Sequence, residues 1–371
     1  MKEKDPAKLV RQSNFELLRI VAIIMIIAHH IAFYGGFEYP INAVSMNRLW
    51  VQFLRLGGKI GVDLFVLISG YFLISSDRVR ISRVLRLWLQ LFTYSASLYL
   101  VFSVLVGSEP FSVRSLIKSF LPLLSKGWWF ANAYFVLYLL HPYINRLLLS
   151  FDRARYKRFL ALLLCIWCVI PTFTRQLMGS NDLLLFIVLY SVAGYYRLHG
   201  INVACRARTF IALSMVMILL TFLSAAILDV IGTRIAFAGK HATWFYEMYS
   251  LPVLLASVLM FMGFDRMEIK PGRAINTVAS ASFGTYLIHE NAYCRPFLWK
   301  DLFNAASYAD SGALIPYTLM MIAAVFASCT VIELIRKRVL EDHYLKLLDR
   351  AGDRLSSLGN RIAKLKLFEK L

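Results

Sequence analysis

The chain has 371 residues, of which 59% are hydrophobic and 17% charged, with a mean hydropathy of +0.61. A soluble domain carries roughly 45–50% apolar and about 25% charged residues, so a soluble enzyme and an ordinary DNA-binding protein are both excluded. The 41 Lys and Arg against 22 Asp and Glu give a net charge of +19, which in a chain this apolar reads as cytoplasmic loops rather than a nucleic-acid footprint.

At about 20 residues per span, the length leaves room for roughly ten membrane helices and little else. In chain order the apolar windows fall at 17–34, 60–76, 86–106, 128–148, 158–171, 183–198, 209–231, 248–264, 275–290 and 313–335. All are rich in Leu and Ile and lack the strict alternation of barrel strands. The stretch Arg48–Leu56 reads as a separate amphipathic piece at an interface before the second span. With the N-terminus inside, 28 Lys and Arg fall in inner segments and 8 in outer ones, and 5 are unplaced. That asymmetry sets the orientation.

The expectation is therefore an all-α, polytopic integral membrane protein of about ten transmembrane helices with both termini cytoplasmic. Residues 1–13 form a cytoplasmic N-terminus, 14–335 the membrane domain and 336–371 a basic tail. The first apolar run lacks a small-residue cleavage site and is not read as a cleaved signal. In the tail, Leu345, Leu348, Leu355, Leu358, Ile362 and Leu365 recur at helical spacing. They read equally as a basic amphipathic helix on the inner leaflet and as a solvated helix.

Ionisable residues inside apolar spans are costly and mark function. In the first window, Arg19 and His30 are eleven residues apart, which is three helical turns plus about 20°. They share a face, with His30 about 16 Å further along the axis. Glu16 is placed to pair with Arg19, and His29 points about 100° away. Arginine is a fixed fork for phosphate or carboxylate, and histidine removes protons near neutrality. The pattern suits transfer from an anionic donor to a hydroxyl, although a snorkelling arginine and a merely hydrogen-bonded histidine fit the spacing equally.

Further along, Asp63 and Lys59 are spaced for a helix ion pair. Arg83 and Arg86 form a basic pair at the inner face, suited to donor phosphates or to simple anchoring. His141 reads as a buried histidine bonded to a neighbouring helix. His289 and Glu290 emerge at the outer end of the ninth window, as a second acid/base element or an acceptor-binding site. Cys165 and Cys168 form a C-x-x-C with no further ligands near, and Cys205 and Cys294 fall on opposite sides. Neither a metal site nor a disulfide framework is expected. No Walker A loop and no dinucleotide fingerprint occurs.

Several of these residues together resemble a known family. Arg19 followed by His30, then Gly61-Val62-Asp63-Leu64-Phe65-Val66-Leu67-Ile68-Ser69-Gly70-Tyr71, then Arg83-x-x-Arg86, are similar to the acyltransferase-3 family of integral membrane O-acyltransferases. So are Gly127-Trp128-Trp129-Phe130 and Ser282-Phe283-Gly284-Thr285-Tyr286-Leu287-Ile288-His289-Glu290, followed by Arg295 and Leu298-Trp299-Lys300. The likeness runs from about Asn14 to Glu333 and is nearest the Gram-positive-type branch that lacks an appended hydrolase domain.

The resemblance implies a multi-pass protein of a bacterial plasma membrane. It would transfer an acyl group, usually acetyl from acetyl-CoA, to a hydroxyl of a cell-surface polysaccharide or glycolipid. Arg19 and His30 match the residues the family regards as essential. His289 and Glu290 join them as catalytic candidates, and Arg19, Arg83 and Arg86 are candidates for holding acyl-CoA. The partners expected are acyl-CoA, a polysaccharide or lipid-linked glycan and the lipid bilayer, with no nucleic acid and no metal. Composition alone would equally suit a secondary transporter or a flippase of a lipid-linked sugar, but the matching halves typical of transporters are not found.

Overall fold

The computed structural model describes residues 12–41, 43–123, 127–201, 203–341 and 343–344, and contains no strand among them. Its helices are α1 (Ser13–Tyr34), α2 (Met46–Leu73), α3 (Ile81–Leu105), α4 (Val113–Ser119), α5 (Trp129–Leu149), α6 (Arg153–Thr174) and α7 (Asp182–His199). They continue as α8 (Ala207–Gly232), α9 (Ala236–Lys240), α10 (Leu251–Asp265), α11 (Arg273–Ala279), α12 (Ser282–His289) and α13 (Leu314–Glu341). Six of these, α1, α2, α3, α6, α8 and α13, are long and apolar enough to cross a membrane. The chain is a multi-pass membrane protein. On α8 the outward residues Leu219, Leu220, Ile227 and Val230 are all more than half exposed, which is what a lipid-facing surface requires.

Helix α1 is the centre of the bundle and packs against α2, α10, α11, α12 and α13. Its start is tied down by polar contacts that an apolar window does not reveal. Asn14 Nδ2 donates to the Phe264 carbonyl at 2.9 Å, and Ser13 Oγ donates to Asn276 Oδ1 at 2.9 Å. The α1–α2 contact depends on small residues. A Cβ on Gly61 would lie 2.6 Å from the Ala22 carbonyl, and one on Gly58 would collide with the His29 ring. Two membrane helices can approach this closely only where one side lacks side chains.

The structure corrects three local expectations. Arg48–Leu56 is not a separate interfacial piece: α2 runs unbroken through it for 28 residues, about 42 Å of helix against a hydrocarbon core of about 30 Å. Ser45 caps it, accepting from the Arg48 amide at 3.1 Å. Second, the window 275–290 is two helices, broken between Ala279 and Ser282. Ser280 Oγ donates back to the Thr277 carbonyl at 2.7 Å, and Lys337 Nζ of α13 donates to the Ser280 carbonyl at 2.8 Å. Back-bonding by serine competes with the helical ladder, and the lysine satisfies the carbonyl that the break releases. Third, Lys59 does not pair with Asp63. It reaches Glu247 Oε2 at 4.0 Å, while Asp63, fully buried, accepts from Ser257 Oγ at 3.1 Å.

His141 is buried as expected, but its Nδ1 contacts the Tyr138 carbonyl of its own helix at 2.5 Å rather than a neighbouring helix. Cys168 is buried and Cys165 exposed, and no His/Cys/Asp/Glu group able to hold a metal ion occurs among the described residues. Beyond Tyr344 the tail lies outside the described residues, as do residues 1–11. Its first part is nonetheless engaged: Arg336 is buried against Glu333 at 2.7 Å and Glu341 at 2.6 Å, with Tyr94 donating to Glu333 at 2.6 Å.

Candidate active site

The break before α12 sets where its side chains go. A short helix beginning at Ser282 carries His289 and Glu290 to the same end of the bundle as His30, which lies one turn from the end of α1. His30 Nδ1 is 2.9 Å from His289 Nε2, and His289 Nδ1 is 2.5 Å from the Thr285 carbonyl. These two distances decide the tautomers. A carbonyl only accepts, so His289 carries its proton on Nδ1 and presents a bare Nε2. His30 must then donate through Nδ1, and in its neutral form it carries the lone pair on Nε2. That atom lies 3.3 Å from Glu290 Oε2.

Glu290 is itself held. Its Oε1 accepts from the Tyr34 hydroxyl at 3.0 Å and lies 3.4 Å from Arg295 Nη1, and Arg295 also donates to the Tyr34 oxygen at 2.6 Å. Both histidines and Glu290 are buried. The assembly orients one imidazole through its far nitrogen and sets a carboxylate beside the near one, the arrangement by which a base is aimed and its protonated form stabilised.

His30 opens onto a cavity of about 230 Å³, also lined by His29, Arg55, Lys59, Trp129, Glu247 and Tyr286. Arg83 and Arg86 line a different cavity of about 210 Å³ with Leu87, Gln90, Tyr134 and Tyr138. Between them an almost wholly apolar recess of about 20 Å³ is walled by Phe65, Phe130 and Phe283, and shares Ile26, Val62 and Tyr286 with the histidine cavity. The order is the same along both helices that run past all three. On α2 it is Val62, Phe65, Leu73; on α5 it is Trp129, Phe130, Tyr134.

The structure thus brings His30, His289 and Glu290 together and leaves the three arginines elsewhere. Arg19 pairs with Glu16 at 2.6 Å near the start of α1, and lines neither cavity. Arg86 Nε is 3.6 Å from Glu341. His29 turns to a second partner, with its Nδ1 2.5 Å from the Arg55 carbonyl. Sequence reasoning missed Tyr34, although it follows His30 by four residues and so shares its face. It also missed Arg295 as the partner of Glu290, as well as Arg55, Trp129 and Glu247. For Glu247 no local signal existed.

An all-helical chain with an apolar exterior, burying a histidine pair and a carboxylate beside a cavity, belongs among multi-pass integral membrane proteins. The particular family is shown by sequence: the chain belongs to the acyltransferase-3 family, matching its acyltransferase domain over residues 12–333. No curated protein and no solved structure matches it.

Proposed function

We propose that the protein is an O-acyltransferase that moves an acetyl group from acetyl-CoA to a hydroxyl of a cell-surface polysaccharide or glycolipid. The observation that carries this is His30, which lines a cavity while His289 holds its Nδ1 at 2.9 Å and leaves Nε2 beside Glu290. In the reaction, Nε2 takes the hydroxyl proton as the oxygen attacks the thioester carbonyl carbon. The imidazolium so formed is stabilised by Glu290 at 3.3 Å. Collapse of the tetrahedral adduct breaks the carbon–sulfur bond, and the CoA thiolate leaves with the proton from His30. The products are the O-acetyl ester and CoA thiol.

Arg83 and Arg86 are the candidates for the CoA phosphates, because a guanidinium pair binds them with charge-assisted hydrogen bonds. Arg19 is the further candidate on the same, inner side. The donor's arm then reaches His30 through the recess, where the rings of Phe65, Phe130 and Phe283 must give way. The reading also takes all ten windows as spans with both termini inside a bacterial plasma membrane. That places His30 and its cavity at the outer side, where surface glycans are finished.

Two experiments test this. Purified protein given acetyl-CoA and a surface-glycan extract is expected to release free thiol, detected colorimetrically; no release above the His30→Ala protein would end the enzymatic reading. For sidedness, single cysteines at positions 241 and 350 are expected to react in intact cells only at 241. The reverse labelling would invert the topology.

A further inference from the structure

The mouth of the histidine cavity carries charge that the chemistry at His30 does not use. Arg55 and Lys59 stand one turn apart on α2 and both line the cavity. Like charges at this spacing repel and work against the helix. Only one carboxylate, Glu247, lines the mouth with them. It is shared, at 4.0 Å from Lys59 and 3.4 Å from Arg175, which also donates to the Tyr249 hydroxyl at 3.1 Å. Arg55 has no carboxylate partner among the described residues; its guanidinium lies 5.4 Å from the Phe33 ring centre. Deeper in, Glu290 is taken by Arg295 and His30. The cavity lining therefore holds two cations against one anion, and that anion is shared with a third cation, Arg175, outside the lining.

On the proposed topology these are outer-side cations, the kind that membrane proteins carry least, and they converge on the cavity that holds the candidate base. Beside them the aromatic side chains of Trp129 and Tyr246 line the same cavity, a lining that suits the C–H side of a sugar ring. We propose that the acceptor is an anionic saccharide. Its phosphate or carboxylate binds Arg55 and Lys59 while a nearby hydroxyl reaches His30 Nε2. This rests on the acyltransferase reading above and adds the class of acceptor to it.

The same cations could instead serve the phosphates of the donor, and the test separates the two. Purified protein is supplied with radiolabelled acetyl-CoA and the total saccharide extract of its own cells, and the labelled products are resolved by anion exchange. Label is expected in the retained, anionic fraction. Arg55→Gln and Lys59→Gln are expected to lower kcat/KM for that fraction about tenfold each at low ionic strength, with a smaller loss in high salt. The KM for acetyl-CoA should stay unchanged, and Arg55→Lys should recover most of the Arg55 loss. Both side chains reach the cavity mouth, so the variants are expected to fold, and monodispersity in detergent checks this. Label confined to the neutral flow-through would overturn the proposal. So would a rise in the KM for acetyl-CoA in the two glutamine variants, which would assign the cations to the donor. If the wild-type protein labels neither fraction, acyl transfer itself fails and the acceptor class with it.

Discussion

His30→Ala is expected to lower acetyl transfer by on the order of 10²–10⁴-fold, the usual worth of a positioned general base, while the protein still inserts and purifies as a folded species. Only His30 offers a free imidazole nitrogen next to a carboxylate, because the far nitrogen of His289 is committed to the Thr285 carbonyl and its near one to His30. His29→Ala is expected to lose less than about tenfold, since that loss touches no proton transfer. The His29 ring lines the cavity but points its Nδ1 at the Arg55 carbonyl. Glu290→Gln keeps the shape and removes the charge that stabilises imidazolium, so it should fall between the two in activity. Arg19→Lys keeps the charge and loses the planar fork, and is expected to weaken donor binding without a folding defect. Transfer rates for the set, normalised to purified protein, check all four. An inactive His29 variant beside an active His30 variant would reassign the base, and a His30→Gln protein with most of its activity would reduce His30 to a hydrogen-bonding role.

The largest effect on stability is expected at Arg48 and Asp229. Arg48 Nη2 lies 2.5 Å from Asp229 Oδ1, with side chains 8% and 0% exposed. Nη1 donates to the Ala43 carbonyl at 2.9 Å and to that of Pro40. This one guanidinium thus joins the connection before α2 to the end of α8. Asp229→Ala strands a buried cation and is expected to cost about 3–5 kcal/mol, read as a drop in the thermal unfolding midpoint in detergent. Arg48→Met combined with Asp229→Leu replaces the pair with apolar volume and should recover much of that loss, because the desolvation penalty disappears with both charges. A single Asp229→Ala protein that melts with the wild type would mean the pair is solvated and dispensable.

The break between α11 and α12 shows how function and fold depend on each other here. It contains neither Pro nor Gly, the residues that signal a helix stop in a sequence. What ends the helix is a serine bonding to its own backbone and a lysine arriving from α13, 57 residues further along the chain. Gly284, just past the break, matters for a related reason. A Cβ there would meet the Glu333 carboxylate at 2.3–2.4 Å, and that carboxylate is pinned by Arg336 and Tyr94. The seating of α12, and with it His289, is thus set from α13.

What the sequence determined by itself follows from local rules. Composition made the chain a membrane protein. The helical period placed Arg19 and His30 on one face and paired Glu16 with Arg19, a contact found at 2.6 Å. Motif order from Arg19 to Glu290 pointed to the acyltransferase-3 family. The tertiary structure alone decided which of the possible partners each polar side chain takes. Lys59 could reach Asp63 within its own helix but turns to Glu247. Arg48 is buried rather than interfacial because Asp229, 181 residues away, receives it. His30 meets an imidazole 259 residues further on. In a low-dielectric interior a buried polar group without a partner is costly, so most of them find one. Helical spacing sets only which neighbours on the same helix are within reach, and the packing of one helix against another, fixed here by glycines such as Gly58 and Gly61, decides the rest.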